Sequence, residues 1–223
     1  MRDMTGAGRR GAEFQVAAAR LENEKSAVVT VSSVGIVAWG LYGVLIVLGH
    51  PAAAVCVGIV VMLALVMREY RQGAVNIVDC TSLSFFVLAL LTIVTTGHGL
   101  FSIYRTIAAW GIFAVVAWAT LVAGFPFTLQ YARERAPREM WNAAAFLPMN
   151  VIMTLVWAVI FTLDTILAAL ALRGRYVLLL EVVIPTLTLV LGYAFNHFYP
   201  EYLRKRIDIA SANVRSGNYV GKN

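Results

Sequence analysis

The chain has 223 residues, of which 60% are hydrophobic and 13% are charged, with a formal net charge of +6 and a mean hydropathy of +0.76. A soluble domain carries about a quarter charged residues, so this composition excludes an ordinary soluble domain and predicts a protein that lies in a bilayer. About 20 residues cross the hydrocarbon, which leaves room for six helices, short loops and two tails. Because the positive charges flank apolar segments, we expect anionic lipid headgroups, and not nucleic acid, as their partner.

The chain begins with a polar tail, residues 1–26, that mixes both charge signs. We expect no cleaved secretion signal there, and the segment 15–25 has the composition of a short helix. An apolar run from Val28 to Leu48 follows and is the first predicted crossing. It ends at an uncharged turn, because glycine stops a helix and proline permits the next one to start: Gly49-His50-Pro51.

Five further apolar runs complete an all-α, six-helix transmembrane domain over residues 27–198, arranged as three hairpins. The fifth run is too long for an upright span, and Pro148 is predicted to separate an interfacial segment, 141–147, from the spanning part. A basic tail, residues 199–223, ends the chain. The five runs extend from Ala52 to Met67, from Cys80 to Thr96, from Tyr104 to Phe125, from Ala144 to Leu172, and from the turn Arg173-Gly174-Arg175 to Phe198.

The distribution of positive charge predicts the orientation of these crossings. With six crossings, fifteen of the eighteen Lys and Arg residues fall on one side of the membrane. Loops rich in Lys and Arg remain in the cytoplasm, so both termini are predicted to be cytoplasmic in a multi-pass protein of the cytoplasmic (inner) membrane.

Two acidic residues, Asp164 and Glu181, are predicted at membrane depth on adjacent antiparallel helices. Counted from the turn at Gly174, their heights differ by about one helical turn. If they face each other in a poorly solvated site, they would hold a proton available for transfer or acid catalysis. Two alternatives remain: carboxylates that reach the headgroups, or an ion-pair cluster with the cations at the same helix ends, Arg105, Arg173 and Arg175.

A second set of polar residues could line a cavity for a lipid headgroup or a small polar substrate. Most lie at the predicted inner ends of helices, where side chains that simply meet solvent are the alternative. Asp79 also suits the first turn of a helix. The set comprises Glu69, Tyr70, Arg71, Asp79, Arg105, Arg133, Glu134, Trp141 and Asn150.

Motifs for cofactors and metals are absent from the sequence. It contains no phosphate-binding glycine loop with lysine, no nucleophile elbow, no HExxH and no CxxC. The histidines, His50, His98 and His197, do not share a spacing that could bind zinc. We therefore expect no cofactor and no metal.

The order of elements from the second to the fifth run, about half of the chain, is distinctive. Basic residues at Arg68 and Arg71 precede two crossings, a proline-containing segment with Phe125-Pro126 and Pro137, then Trp141 and the run Trp157–Phe161. This order resembles the bacterial intracellular septation protein A family of inner-membrane proteins, although Trp141 and Trp157 are farther apart here. The resemblance implies an association with envelope or division machinery and transfers no catalytic residue.

Three functions therefore remain open. The first is a structural or interaction protein, with a membrane-protein partner or a second copy of itself. The second is an integral membrane enzyme, such as a cyclase or another enzyme acting on a lipid or isoprenoid substrate, with Asp164 or Glu181 as general acid. The third is a small proton-coupled carrier.

Overall fold

The computed structural model describes Gly35, residues 37–73 and residues 75–220, and this part of the chain is helical, without strands. The predicted helix at 15–25 and the first half of the first predicted crossing lie outside the described residues. The helices are α1 (Val37–Val47), α2 (Pro51–Gln72), α3 (Ile77–Thr96), α4 (His98–Val122), α5 (Thr128–Arg135), α6 (Phe146–Ala171) and α7 (Ile184–Val220). A 3₁₀ turn, Arg138–Met140, precedes α6, and a π-helical turn, Leu179–Val183, precedes α7.

Five helical segments are long and apolar enough to cross a membrane: α2, α3, α4, α6 and the stretch Leu179–Leu203. Between 11% and 33% of the residues in their apolar windows are buried inside the protein, so most of the apolar surface faces outward, as lipid contact requires. In the described part, α1 is shorter than a span. Five of the six predicted crossings thus appear as helices, and the first crossing, which begins at Val28, remains a prediction.

Three helix bounds differ from the predicted ones. Helix α4 begins at His98 and not near Tyr104, because Gly97 alone connects it to α3, with a φ of 79° that only glycine adopts readily. Pro148 lies in the first turn of α6, where its missing N–H costs no hydrogen bond, so it does not separate two segments. Helix α7 continues through Pro200 to Val220, so the tail predicted from residue 199 is largely helical.

The described residues form two compact units, whose boundary falls inside α4, between Ser102 and Ile103. In the first unit, α2 packs against α3. Four aromatic rings fill the space beside them, with centroids between 5.1 and 5.9 Å apart: Trp39, Tyr42, Phe85 and Phe86. In the second unit, α6 packs against α5 and α7.

The close approach of α2 to α3 depends on Gly58. A Cβ at this position would lie 2.6 Å from two ring atoms of Phe86, and Phe86 is held by the other three rings. We expect Gly58→Ala to lower the free energy of unfolding by about 1–3 kcal/mol, because the overpacked ring cannot move aside. Thermal unfolding of the full chain in detergent would measure this.

Gly40→Ala is the matched control, because a Cβ there meets nothing within 4 Å. Alanine favours a helix over glycine by about 1 kcal/mol, so this variant should be as stable as the original or slightly more stable. An equal loss in both variants would contradict the packing explanation.

Candidate functional site

Asp164 is a fully buried acidic residue of the second unit. It lies on α6 with 0% of its surface exposed. Both of its carboxyl oxygens are 3.1 Å from the Oγ1 of Thr188 on α7. The same Oγ1 is 2.9 Å from the carbonyl oxygen of Pro185. The carboxyl group therefore meets a hydroxyl, and not a cation, at the helix interface.

The hydrogen-bond partners at this site accommodate either a neutral or an ionised carboxyl group. A threonine hydroxyl has one proton, yet three oxygens lie within hydrogen-bond distance of Thr188 Oγ1. If Asp164 carries a proton, it can donate to Thr188 Oγ1 while Thr188 donates to the Pro185 carbonyl. If Asp164 is ionised, Thr188 Oγ1 donates to it, because the Pro185 carbonyl lies within α7 and can accept a hydrogen bond from a backbone N–H. An ionised carboxylate enclosed without a cation would be costly, and this desolvation cost is what favours the neutral carboxyl group.

Glu181 does not form a pair with Asp164. It is partly exposed, and its Oε2 accepts a hydrogen bond of 3.3 Å from Thr106 Oγ1 on α4. Thr188, which bonds to Asp164, lies seven residues after Glu181, and seven residues span about 10 Å along a helix. Glu181 is therefore too far along the helix to face Asp164. The alternative in which the two acids face each other counted helical residues from Gly174, but residues 172–176 are not helical, which shifts the register.

The predicted ion-pair cluster is not present among the described residues. Neither Asp164 nor Glu181 forms an ion pair there, and an ion pair within the described part joins the exposed side chains of Lys205 and Glu201 at 2.9 Å. The guanidinium carbon of Arg175 lies 5.9 Å from the centroid of Tyr176. Arg105 lies on α4, and Arg173 is exposed in the turn after α6. The two acids are therefore bonded to threonine hydroxyls, and not to arginines as in the ion-pair alternative.

Glu69 occupies a buried position at the turn between α2 and α3 in the first unit. It is 2% exposed, and both of its oxygens bind Asn76, the residue before α3. The Asn76 backbone N–H donates to Oε2 at 3.1 Å and the side-chain amide donates to Oε1 at 2.8 Å. The carboxylate thereby fixes the start of α3, whereas its neighbours Tyr70 and Arg71 are exposed.

Asp79 is buried in the first turn of α3, as its sequence context suggested. It lies beside Gly35, where a Cβ would come within 3.2 Å of Asp79 Oδ1. One turn further along, Ser82 accepts a hydrogen bond of 3.2 Å from the Trp39 indole. The end of α3 that begins at Asn76 is therefore polar and enclosed, while the middle of the helix is aromatic.

A buried polar network joins α5 to α6. Thr128 Oγ1 donates to the carbonyl oxygen of Asn150 at 2.9 Å and lies 2.8 Å from Thr154 Oγ1. Asn150 is 0% exposed, and its side-chain amide donates to the Phe146 carbonyl at 2.8 Å. Its Oδ1 has no hydrogen-bond partner among the described residues. The network fixes the position of α5 on α6.

Trp141 anchors the connection that follows α5. Its indole N–H donates to the carbonyl of Ala136 at 3.1 Å. The guanidinium carbons of Arg133 and Arg138 lie 5.4 and 5.9 Å from the centroid of its ring. Glu134 is exposed on the same short helix. Of the predicted headgroup-binding residues, Arg133 and Trp141 thus come together, while Asn150 lies deeper in the same unit.

Sequence reasoning missed the partners of the acids, which are Thr188, Thr106 and Asn76. A threonine inside an apolar helix is usually satisfied by the carbonyl four residues earlier, and several threonines of this chain are, Thr162 and Thr165 among them. Nothing in the sequence separates those threonines from the ones that bind a carboxyl group. Asn76 carries a detectable signal, because an asparagine immediately before a helix commonly caps it.

No protein-family model, no curated protein and no solved structure matches this chain. The helices themselves define its class. By their length and composition, it is a multi-pass α-helical membrane protein.

Proposed function

We propose that this protein is a small proton-coupled carrier in which Asp164 binds and releases the proton. The observation that carries the proposal is the complete enclosure of this carboxyl group in a spanning helix, with a threonine hydroxyl as its partner. Ionisable side chains at membrane depth are costly, and those that occur commonly belong to ion or proton pathways. A carboxyl group that exchanges its proton only when the α6–α7 interface opens would link protonation to conformation.

The finer topology belongs to the same proposal. We infer that the apolar run from Val28 completes a sixth span together with α1, and that both termini are cytoplasmic. The support is the charge asymmetry, since fifteen of eighteen Lys and Arg residues then share one side. The carrier would accordingly lie in the cytoplasmic membrane, as the resemblance to the septation protein A family also suggests.

Acid catalysis by Asp164 has less support than proton transfer. A general acid must reach the reacting group of its substrate within hydrogen-bond distance. With none of its surface exposed, the Asp164 carboxyl does not contact a substrate in this arrangement. A proton needs much less room than a substrate, so a transient opening of the α6–α7 interface to water would be enough for exchange.

The test is electrical and needs no knowledge of the substrate. Full-length protein in proteoliposomes is adsorbed to a solid-supported membrane and exposed to a step toward acid pH. Proton binding inside the membrane should produce a transient charge displacement, which Asp164→Asn should abolish because an amide binds no proton in this range. Glu201→Gln is the control, since this acid is exposed and paired with Lys205, and it should retain the signal.

A structural or interaction protein is the second candidate. The observation in its favour is the tight contact of α6 with α7, where a Cβ on Gly192 would lie 2.9 Å from Ile160 and 3.0 Å from Trp157. In such a protein the Asp164–Thr188 contact only holds the helices together. This second candidate predicts no charge displacement in the original protein, and a lower free energy of unfolding in Asp164→Asn.

A further inference from the structure

The connection between α4 and α6 carries two arginines on one tryptophan. Both flanking helices are long enough to span, so this connection, residues 123–145, lies at one face of the bilayer, at the level of the lipid headgroups. Tryptophan and arginine are common at this level because the ring tolerates the interface and the guanidinium meets phosphate.

The fold positions the segment that carries the three side chains. Trp141 is fixed by its hydrogen bond to the Ala136 carbonyl, immediately before Pro137. Arg133 extends from α5, which Thr128 fastens to Asn150 and Thr154 on α6. The backbone that carries Arg133 and the ring of Trp141 are therefore attached to a spanning helix through these contacts, and the two exposed guanidinium groups extend from this support.

The two arginines of the cluster share one aromatic ring, that of Trp141. Within the described part of the chain, neither Arg133 nor Arg138 forms an ion pair, yet both guanidinium groups approach the same indole ring, at 5.4 and 5.9 Å. The ring faces attract cations but do not neutralise them. An anion beside the ring edge could accept hydrogen bonds from these guanidinium groups and balance their charge.

Phosphate is the anion that matches these donors. A guanidinium presents paired N–H groups to two phosphate oxygens, and a stacked guanidinium is already oriented, so little side-chain freedom is lost on binding. We infer that Arg133, Arg138 and Trp141 form a binding site for the phosphate group of an anionic phospholipid. The site is independent of the proton chemistry proposed for Asp164.

The experiment is a lipid titration of the delipidated full-length protein, followed by native mass spectrometry. Phosphatidylglycerol should bind more tightly than phosphatidylcholine, whose choline group the arginines repel. The double variant Arg133→Gln/Arg138→Gln should bind phosphatidylglycerol about tenfold more weakly, the effect of losing one charge-assisted contact or more. Arg133→Lys/Arg138→Lys should be intermediate, because lysine retains the charge but neither the paired donors nor the planar stacking.

The matched control is Arg173→Gln/Arg175→Gln, which removes two exposed arginines from the turn between α6 and α7. It should bind phosphatidylglycerol as the original protein does. Equal weakening in both double variants would show a general charge effect and overturn the site. A second result would also overturn the inference. If inorganic phosphate bound at the cluster, and Arg133→Gln/Arg138→Gln lost the binding of phosphate but not of lipid, the cluster would be a site for free phosphate.

Discussion

Replacing Glu69 by leucine is expected to lower the free energy of local opening at the start of α3 by about 4 kcal/mol. The carboxylate accepts two hydrogen bonds from Asn76, and each hydrogen bond to a charged group contributes about 1.5–3 kcal/mol. Leucine would leave a backbone N–H and a side-chain amide buried without acceptors. Amide hydrogen exchange of the full-length protein in nanodiscs would detect the change as faster exchange in residues 76–82.

Two variants distinguish this cause from a general loss of charge. Glu69→Gln retains one oxygen, so it should retain one of the two hydrogen bonds. Its free energy of local opening should fall by about half as much as that of Glu69→Leu. Glu201→Leu removes an exposed acid that pairs with Lys205 four residues on, and such surface pairs contribute at most about 1 kcal/mol. If Glu69→Leu left the exchange of α3 unchanged, the carboxylate would not be what fixes the start of that helix.

The helices could be predicted from the sequence because an apolar run of sufficient length has few alternatives in a bilayer. The runs from Cys80 to Thr96 and from Ala144 to Leu172 differ from α3 and α6 by only a few residues at their ends. The start of α4 was misplaced because Tyr104 and Arg105 read as a membrane boundary. Gly97 closes the turn in a single residue, and the sequence does not reveal so short a connection.

The contacts of the site were less predictable than its helices. The pairing of Asp164 with Thr188, and not with Glu181, depends on the number of residues that the turn between the two helices consumes. Pro185 adds to this difficulty. Proline lacks the N–H that would bond to the carbonyl four residues earlier and its ring crowds that carbonyl, which accounts for the π-helical turn at Leu179–Val183. A wider turn changes which side chains face α6.

Replacing Thr188 by valine is expected to lower the free energy of unfolding by about 2–3 kcal/mol. Valine has nearly the shape of threonine but cannot bond to Asp164, so the enclosed carboxyl group loses its partner. Thr188→Ser preserves the hydroxyl and should cost much less. Denaturation of the full chain in mixed micelles would measure both values.

The double variant Asp164→Leu/Thr188→Val separates folding from proton binding. Removing both partners of a buried hydrogen bond can be nearly neutral. The losses of unfolding free energy in the two single variants, Asp164→Leu and Thr188→Val, should therefore not add, and the coupling energy should be about 2 kcal/mol. A protein in which this contact serves only to join α6 and α7 would regain its stability and retain its full activity. A proton-coupled carrier would regain its stability and still show no charge displacement, because leucine supplies no group that binds a proton. Additive losses would contradict the direct contact between the two side chains.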